Sequence, residues 1–387
     1  MELFLEEKDA CDWTYRGEGA VNIVLVYSGS SPDFIGKVIR VQKVPTDVSD
    51  DEIRRSVLSK HECNLWKDVG DIVTSPRKDI AEQLYVQCVM VPLLGSEFVD
   101  PGVRILVSRA FLESVERNVL SQRPGWRVNA AKVDCCVDSV LLMSDHSIQQ
   151  VSKYDPLDLF SGSRDRIDKA VKALLVNPQN NLRVFLNGSL ICGSMGGGDH
   201  GTNFVKDEAI EDRLKSFIHA EYGLRTGSFI HLVREAIVKL GVIDRLLEVQ
   251  KLDQYDVEGA IHAYYDIVSQ PCKICRSFGE CPQISSLHSI PIEESLKIVR
   301  DYLIAATTKD CSLMISFQPR QDDDPESHYR SIYLNSTNQR FDVKAFFIDL
   351  DMKPLEKMEF YYQLDQNIVN FYKRMGKVEY GMDLNRV

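Results

Sequence analysis

The chain lacks an excess of positive charge, and it lacks a long apolar run. Its 46 lysines and arginines are outnumbered by 57 aspartates and glutamates, which gives a formal net charge of −11. Nucleic acids and anionic membranes attract positively charged surfaces, so this balance argues against broad binding to either. No stretch approaches the roughly 18 apolar residues of a membrane-spanning helix, and the opening MELFLEEK is too acidic for a signal peptide. We expect an intracellular protein without nucleic-acid or membrane partners.

Cysteine is also scarce. Ten cysteines in 387 residues are too few for a disulfide scaffold, so most are expected to be reduced packing residues. Seven of them show no useful spacing: Cys11, Cys63, Cys88, Cys135, Cys136, Cys192 and Cys311. Apolar residues make up 44% and charged residues 27%, as in ordinary globular proteins. Because the length exceeds what one hydrophobic core normally serves, two lobes are predicted.

The first part of the chain has the pattern of an α+β lobe. Ser108 is a credible N-cap for one of its two helices. Strands are predicted from β-branched and apolar runs at 23–27, 36–42, 85–91 and 140–143. Helices are predicted from apolar spacing at 51–68 and 108–120.

Beyond Ser147 the pattern becomes mostly helical. Helices are predicted at 165–175, 207–222, 228–240, 257–268, 292–306 and 354–375, and strands at 183–190, 312–317 and 342–350. The change of character places a boundary at 144–147. The sequence therefore predicts an α+β fold with a smaller lobe at 1–144 and a larger, mostly helical lobe at 145–387.

A glycine-rich segment lies between two predicted strands near the N-terminus. Residues 16–22 read RGEGAVN, and glycines there let backbone N–H groups approach phosphate oxygens. The strand, loop, strand setting resembles the ATP flap of protein kinases more than a Rossmann or Walker loop. An ordinary hairpin with a glycine turn explains the loop equally well. The only GxGxxG, at 196–201, opens no helix and is interpreted as a chance match.

The strand after this loop carries a candidate nucleotide-binding cation. It reads GKVIR and ends at Arg40, where a kinase-like lobe has the side chain that contacts the ATP phosphates.

Four metal-binding side chains occur within a short span. His262, Cys272, Cys275 and His288 give the pattern H-x9-C-x2-C-x12-H, and a Cys-x2-Cys pair lets two thiolates share one tetrahedral metal. Cys281 is a rival ligand, and chance placement of the cysteines and histidines remains an alternative. With four protein ligands no position is open to substrate, so the expected zinc is structural.

Nine blocks of sequence, in order, resemble the inositol pentakisphosphate 2-kinases, the plant form in particular. They are YRGEGAVNIVL, GKVIRVQK, QRPGWRVNAA, SDHS, YDPLDLFSG, NPQNNLRVFLNG, QPCKIC, AATTKDCSLMISFQ and FIDLDMKPLEKM. The resemblance extends from residue 1 to about residue 372. It implies a divergent two-lobed kinase that transfers phosphate from ATP to the 2-hydroxyl of inositol 1,3,4,5,6-pentakisphosphate, giving inositol hexakisphosphate (phytate).

The resemblance also implies the cofactors and the nucleotide site. ATP, Mg²⁺ and a structural Zn²⁺ are expected, the zinc at the four ligands named above. The implied location is the nucleus and cytoplasm; the oligomeric state is not indicated by the sequence, and a monomer is favoured. Ser144 stands where the plant family has Asn, which weakens one hydrogen bond. The implied nucleotide-binding residues are Gly19, Ala20, Val21, Asn22, Arg40, Ser144, Asp145, His146, Arg183 and Asp349.

The implied substrate and catalytic residues are cations and carboxylates. Asp349, at the end of an apolar strand, is the expected magnesium ligand, and Asp310 is expected to orient the 2-hydroxyl and accept its proton. Capping of a turn is the alternative role for a strand-end Asp. Lys357 stands where the family has Arg. The positive charge is kept, but the planar guanidinium group, which can bind a phosphate through two nitrogens, is lost. The implied substrate-binding residues are Arg127, Asn180, Asp310, Lys353, Lys357 and Tyr361.

One block of the family pattern, Glu-x-Lys-Pro-Lys, is missing. The chain passes from DHSIQQ directly to VSKYDP at residues 145–156. Lysines of that block would stabilise charge on the transferred phosphoryl group. Two explanations stay open: a shortened transcript or gene model of a working kinase, or a variant or scaffold that binds inositol phosphate without turnover. A zinc module that binds nucleic acid is disfavoured by the negative charge.

Overall fold

The computed structural model describes residues 4–18, 22–31, 34, 37–46, 58–144, 154–176, 182–193, 207–278, 288, 290–321 and 329–381. The chain forms two units. Unit 1 comprises Met1–Arg55, Asp100–Asp244 and Ile315–Ala345, and unit 2 comprises Ser56–Val99, Arg245–Met314 and Phe346–Val387. The predicted boundary at 144–147 falls largely outside the described residues, so the division into 1–144 and 145–387 stays a prediction.

Twelve strands are found in the described part of the chain. In chain order they are β1 (Phe4–Leu5), β2 (Trp13–Glu18), β3 (Asn22–Tyr27), β4 (Lys37–Pro45), β5 (Val103–Val107), β6 (Ala131–Val133), β7 (Ser139–Ser144), β8 (Val184–Leu186), β9 (Ser189–Cys192), β10 (Ser312–Arg320), β11 (Arg330–Leu334) and β12 (Gln339–Ile348). A seven-stranded sheet has the order β1-β5-β7-β4-β3-β2, with β6 paired to β4, and a smaller sheet has the order β10-β12-β11. Together with the helices, this makes the protein mixed α/β.

The helices are numbered in the same way. They are α1 (Lys60–Leu65), α2 (Gly70–Val73), α3 (Lys78–Tyr85), α4 (Val91–Leu94), α5 (Arg109–Val119), α6 (Gly125–Ala130), α7 (Pro156–Leu159), α8 (Arg164–Val176), α9 (Asp207–Arg213), α10 (Arg225–Leu240), α11 (Val242–Gln250), α12 (Asp256–Ile267), α13 (Lys273–Phe278), α14 (Ile292–Asp310) and α15 (Met358–Gly381). Val86–Met90 forms a π-helix, and 3₁₀ helices occur at Glu7–Asp12, Leu214–Ser216 and Leu355–Lys357.

The core of unit 1 lies between the large sheet and α5. Strand β3 reads NIVLVY, and its alternate residues Ile23 and Leu25 are fully buried, as the two-residue period of a strand requires. On α5, Phe111, Leu112 and Val115 are fully buried at helical spacing. The buried side chains of β3 and α5 belong to one hydrophobic cluster.

Most of the predicted elements are confirmed. The strands at 23–27, 140–143, 312–317 and 342–350 overlap β3, β7, β10 and β12, and the helices at 165–175, 228–240, 257–268, 292–306 and 354–375 overlap α8, α10, α12, α14 and α15. The predicted N-cap is present, because the Ser108 hydroxyl accepts a hydrogen bond from the Phe111 N–H at 3.1 Å. No cysteine in the described part forms a disulfide, in agreement with the expectation that most are reduced.

The strand predicted at 85–91 is wrong. This segment is helical: α3 ends at Tyr85, the π-helix follows, and α4 begins at Val91. Tyr85, Val89, Met90 and Leu94 are its buried side chains, and their spacing is that of a helix face. Burial of that face overrides the β-propensity of the valines.

Two other predicted elements have different bounds in the structure. The helix predicted at 207–222 is shorter, because α9 ends at Arg213 and a 3₁₀ turn follows. The single strand predicted at 183–190 is a hairpin of β8 and β9. Its turn uses Asn187 and Gly188, both with positive φ (49° and 77°), and Asn-Gly is the dipeptide that favours such a turn.

The core of unit 2 holds the end of β12 in place. Phe347 is fully buried, its ring lies 6.3 Å from that of Phe98, and its N–H donates to the Phe98 carbonyl at 2.6 Å. Helices α12 and α14 pack against each other in the same unit. Among the described residues, no helix is both long enough and apolar enough to cross a membrane.

Replacing the N-cap of α5 tests this account of the fold. We expect Ser108→Ala to lower the free energy of unfolding by about 1 kcal/mol, because the Phe111 N–H loses its acceptor. Guanidinium denaturation of the full chain measures the change. The control is Ser30→Ala at an exposed bend, and equal stability of the two variants would contradict the assigned cap.

Candidate active site and metal centre

The glycine-rich segment lies in a β-hairpin of unit 1, as predicted. Strands β2 and β3 pair antiparallel, with Trp13 opposite Tyr27 and Glu18 opposite Ile23. Asn22 opens β3 opposite Gln42. The predicted residues Gly19, Ala20 and Val21, which connect the strands, lie outside the described part.

Arg40 lies on a central strand of the same sheet. On β4 it is opposite Val24 of β3 and Leu141 of β7. Its neighbours Ile39 and Val41 are fully buried in the core, so the half-buried Arg40 side chain projects from the other face. At the end of β7, Ser144 pairs with Lys37. The predicted residues Asp145 and His146 lie beyond the described part.

A buried charge cluster beside the hairpin was missed by the sequence analysis. Glu18, the last residue of β2, forms ion pairs with Lys43 (2.6 Å) and Arg123 (3.0 Å), and these side chains are 2%, 2% and 0% exposed respectively. Arg123 holds the carboxylate with two nitrogens and also donates to the Ala131 carbonyl at 2.7 Å. We call these three residues the Glu18 cluster. It ties the residue preceding Gly19 to β4 and to the segment after α5.

The Glu18 cluster stays ionised through its hydrogen bonds. Burial by itself raises the pKa of Glu18, but hydrogen bonds from Arg123 and Lys43 bring that pKa below its usual value. Burial is also the main reason that the pKa of Lys43 is lowered, and Glu18 opposes this. The cluster therefore holds a charged carboxylate almost out of contact with water.

The other predicted cations of unit 1 are Arg127 and Arg183. Arg127 lies in α6, and its N–H donates to the Pro124 carbonyl at 2.8 Å. Arg183 immediately precedes β8, and both side chains are half-buried. The predicted residue Asn180 lies outside the described residues.

Two predicted carboxylates occupy the ends of elements in unit 2. Asp310 ends α14, and its mostly exposed carboxylate forms an ion pair with the largely buried Lys353 ammonium. Asp349 follows β12 directly and has φ of 61°. A positive φ is uncommon outside glycine, and in other proteins such residues cluster at functional sites.

Chain position and two contacts connect four residues of unit 2. Lys353, which pairs with Asp310, lies four residues after Asp349. The Tyr361 ring lies 6.4 Å from that of Tyr302 on α14, the helix that ends at Asp310. Burial raises the pKa of Tyr361 to about 12, and the negative charge of Asp310 adds to the effect. We call Asp310, Asp349, Lys353 and Tyr361 the carboxylate cluster.

Buried contacts fix the segment that carries this cluster. The Thr307 hydroxyl of α14 donates to the Asp351 carbonyl at 3.1 Å and accepts a hydrogen bond from Tyr85 at 3.2 Å. The side chains that anchor the segment are buried: Leu350, Met352, Leu355 and Met358. Lys357 closes the 3₁₀ helix one turn before Tyr361. The arrangement offers two carboxylates and two cations on a rigid base, which suits binding of a divalent cation and of phosphate groups.

The predicted metal ligands also come together in unit 2. The ligand atoms of His262, Cys272, Cys275 and His288 all lie within 4.8 Å of one another. His262 Nδ1 is 3.2 Å from His288 Nε2 and 3.3 Å from Cys272 Sγ. Tetrahedral zinc with its usual bond lengths requires about 3.3 Å between nitrogens and about 3.6 Å between nitrogen and sulfur. The donor set and its spacing therefore fit a tetrahedral metal; the rival ligand Cys281 lies outside the described residues.

A carboxylate missed by the sequence analysis supports this centre. Asp266 Oδ1 lies 2.7 Å from His288 Nδ1, which leaves Nε2 of that ring to face the other ligands. Such a carboxylate fixes the tautomer and orientation of a metal-binding histidine. Its position four residues after His262 on α12 was the available signal, because residues at that spacing share a helix face.

The comparisons with known proteins agree with one another. A family model described as inositol-pentakisphosphate 2-kinase matches residues 15–152 and 146–367. A relative from Arabidopsis thaliana named inositol-pentakisphosphate 2-kinase is 47% identical, over 98% of this chain and 97% of its own. One from Oryza sativa subsp. indica, named inositol-pentakisphosphate 2-kinase IPK1, is 44% identical over the same shares, and one from Danio rerio is 25% identical over 96% and 95%.

All of these names belong to one class of enzymes, the inositol phosphate kinases. Since the family model covers most of the chain and the plant relatives align along nearly all of it, the chain belongs to the inositol-pentakisphosphate 2-kinase family. The two matched segments overlap at 146–152, the place where the family resemblance implies a Glu-x-Lys-Pro-Lys block. The Arabidopsis alignment spans 441 positions, more than the 387 residues of this chain, so that relative has residues with no counterpart here.

Breaking the Glu18 cluster is expected to destabilise the protein strongly. Arg123→Met leaves the buried Glu18 carboxylate without its two-nitrogen partner, and we expect a loss of about 3–5 kcal/mol in the free energy of unfolding. The matched control is Arg109→Met, which removes an exposed ion pair with Glu113 and should cost less than about 1 kcal/mol. Denaturant titration measures both, and similar losses would contradict a stabilising role for the cluster.

Removing one thiolate is expected to abolish metal binding. We expect the unaltered chain to purify with about one equivalent of zinc and Cys275→Ser to purify without it, because an incomplete donor set loses tetrahedral coordination. Native mass spectrometry and elemental analysis provide the measurement. Cys63→Ser, a half-buried cysteine outside the centre, is the control, and zinc retained at full occupancy in Cys275→Ser would exclude this ligand.

Proposed function

We propose that this chain transfers the γ-phosphoryl group of ATP to the 2-hydroxyl of inositol 1,3,4,5,6-pentakisphosphate, giving inositol hexakisphosphate. The observation that carries the proposal is the carboxylate cluster. The family resemblance gives its four residues roles in catalysis and phosphate binding. In support, the Lys353 ammonium pairs with the Asp310 carboxylate, and Asp349 precedes Lys353 by four residues. Family membership supports the same reaction.

Asp310 is proposed as the residue that orients the acceptor hydroxyl and takes its proton. Its carboxylate is mostly exposed, so a ligand can reach it, and the Lys353 ammonium holds it in position. A positioned carboxylate that accepts the proton of the attacking hydroxyl is the arrangement used by kinases. Lys353 is at the same time suited to bind a neighbouring phosphate of the inositol ring.

Asp349 is proposed to hold Mg²⁺. Its half-buried carboxylate follows a buried strand, and carboxylate oxygen is the ligand that magnesium prefers. Bound magnesium would neutralise charge on the ATP phosphates. The φ of 61° at Asp349 sets the direction in which the chain leaves β12, and with it the position of the carboxylate.

The nucleotide site is proposed to lie on the hairpin and central strands of unit 1. Glycine-loop backbone N–H groups suit phosphate oxygens, and the Glu18 cluster fixes the strand that enters the loop. A two-lobed, kinase-like fold with lobes at 1–144 and 145–387 belongs to this proposal. The proposed nucleotide-binding residues are Gly19, Ala20, Val21, Asn22, Arg40, Ser144, Asp145, His146, Arg183 and Asp349.

The inositol phosphate is proposed to bind a set of cations despite the acidic balance of the whole chain. Several phosphates require several guanidinium or ammonium groups. The proposed residues are Arg127, Asn180, Asp310, Lys353, Lys357 and Tyr361. The four-ligand centre is proposed to hold structural zinc, in a monomer of the nucleus and cytoplasm.

A turnover assay tests the reaction. The full chain is incubated with magnesium ATP and inositol 1,3,4,5,6-pentakisphosphate, and inositol hexakisphosphate is measured by chromatography. Product formation supports the kinase. Tight binding without product, measured by calorimetry, would instead establish the scaffold, which nothing in the comparisons favours, and the absence of both would reject the proposal.

Removing the proposed base gives a sharper test. We expect Asp310→Asn to lower kcat by about 100- to 10,000-fold, the usual contribution of a positioned proton acceptor. Melting temperature should change little, because this carboxylate is mostly exposed. The control is Asp68→Asn, an exposed aspartate paired with Arg300. Full activity of Asp310→Asn would remove Asp310 from the mechanism.

A further inference from the structure

We propose that the metal centre positions the first turn of α15, and thereby Lys357 and Tyr361, through the carboxylate of Glu359. This inference rests on the proposed function, because Lys357 and Tyr361 are proposed inositol phosphate ligands. It gives the metal a second role beyond folding. The metal centre becomes a determinant of affinity for the inositol phosphate.

Glu359 joins two elements of the metal centre to the last helix. Its Oε1 accepts hydrogen bonds from the Tyr265 hydroxyl at 3.0 Å and from Lys273 Nζ at 2.8 Å, and its Oε2 accepts a second one from Lys273 at 2.8 Å. Tyr265 is buried. An exposed ion pair alone would constrain the helix weakly, but the buried phenol holds the carboxylate from a second side.

Both partners of Glu359 lie within three residues of a metal ligand in the chain. Lys273 lies between Cys272 and Cys275 in the chain, so it takes its position from the loop that the thiolates hold. Tyr265 adjoins Asp266, whose carboxylate meets His288. A metal held by these ligands would fix this backbone, because metal binding is coupled to the folding of the residues that hold it. Glu359 therefore contacts the part of the centre that metal binding orders.

The proposed substrate ligands lie on either side of Glu359. Lys357 ends the 3₁₀ helix two residues before it, and Tyr361 lies two residues after it on α15. The Tyr361 ring lies 6.4 Å from that of Tyr302 on α14, the helix that ends at Asp310. A small rotation of this first turn would move both Lys357 and Tyr361 relative to Asp310. Such a displacement weakens a site built from several phosphate contacts.

Coupling of this kind must act in both directions. If the metal strengthens inositol phosphate binding through Glu359, the inositol phosphate must strengthen metal binding by the same factor. Glu359→Gln keeps the shape of the side chain but removes the charge that holds Lys273. It should therefore affect the metal centre as well as the substrate site, although Glu359 touches neither the metal ligands nor, in the proposal, the substrate.

The experiment compares Glu359→Gln and Lys273→Met with the unaltered chain, each carrying zinc. We expect the KM for inositol pentakisphosphate to rise by about fivefold or more, while kcat and the KM for ATP stay within about twofold. Without substrate, zinc should transfer faster to a chromogenic chelator. Exchanging the charges, with Lys273→Glu and Glu359→Lys together, should restore part of both effects. Lys297→Met, which removes an ion pair with Asp301 inside α14, is the control.

The outcomes separate this inference from the proposed reaction. If the unaltered chain forms product and Glu359→Gln matches it in KM and zinc transfer, the coupling is rejected while the kinase stands. Equal increases of both KM values would also reject it, since they indicate general loosening. If the unaltered chain neither turns over nor binds inositol phosphate, the proposed function fails. The zinc transfer rate of Glu359→Gln then decides whether Glu359 supports the metal centre.

Discussion

Glu18 places a carboxylate where water hardly reaches it, and Lys43 and Arg123 make that position stable. A buried charge without such partners would cost several kcal/mol. The requirement that every buried charge meet its partner fixes β2, β4 and the segment after α5 in one arrangement around the entry to the glycine loop.

In unit 2, carboxylates orient less deeply buried groups. Lys353 pairs with Asp310, and Asp266 contacts His288, so a carboxylate lies beside a cation or an imidazole in each case. Asp349 is held differently, because Phe347 and Leu350, which flank it in the chain, are buried.

Family membership bears on the kind of enzyme, and geometry bears on the arrangement of its residues. The plant relatives and the family model establish the kind of enzyme, whereas the carboxylate cluster shows how residues from α14, β12 and the start of α15 meet. The family resemblance implies that lysines of the Glu-x-Lys-Pro-Lys block stabilise charge on the transferred phosphoryl group. Without that block, the proposed reaction requires other cations, and Lys353 and Lys357 are the proposed ones in unit 2.

The sequence by itself determined the features that are local or periodic. The strand, loop, strand hairpin, the N-cap at Ser108, the helices α8, α10, α12 and α14 and the four metal ligands all follow from spacing, because neighbours in these features are close in the chain. The mistaken strand at 85–91 shows the limit, since only packing decided which face of that apolar run was buried. Tertiary structure alone joined Glu18 to Arg123, 105 positions apart, and Lys273 to Glu359, 86 positions apart. Isolated charges carry no periodicity, so nothing in the sequence indicates which distant charge will meet them.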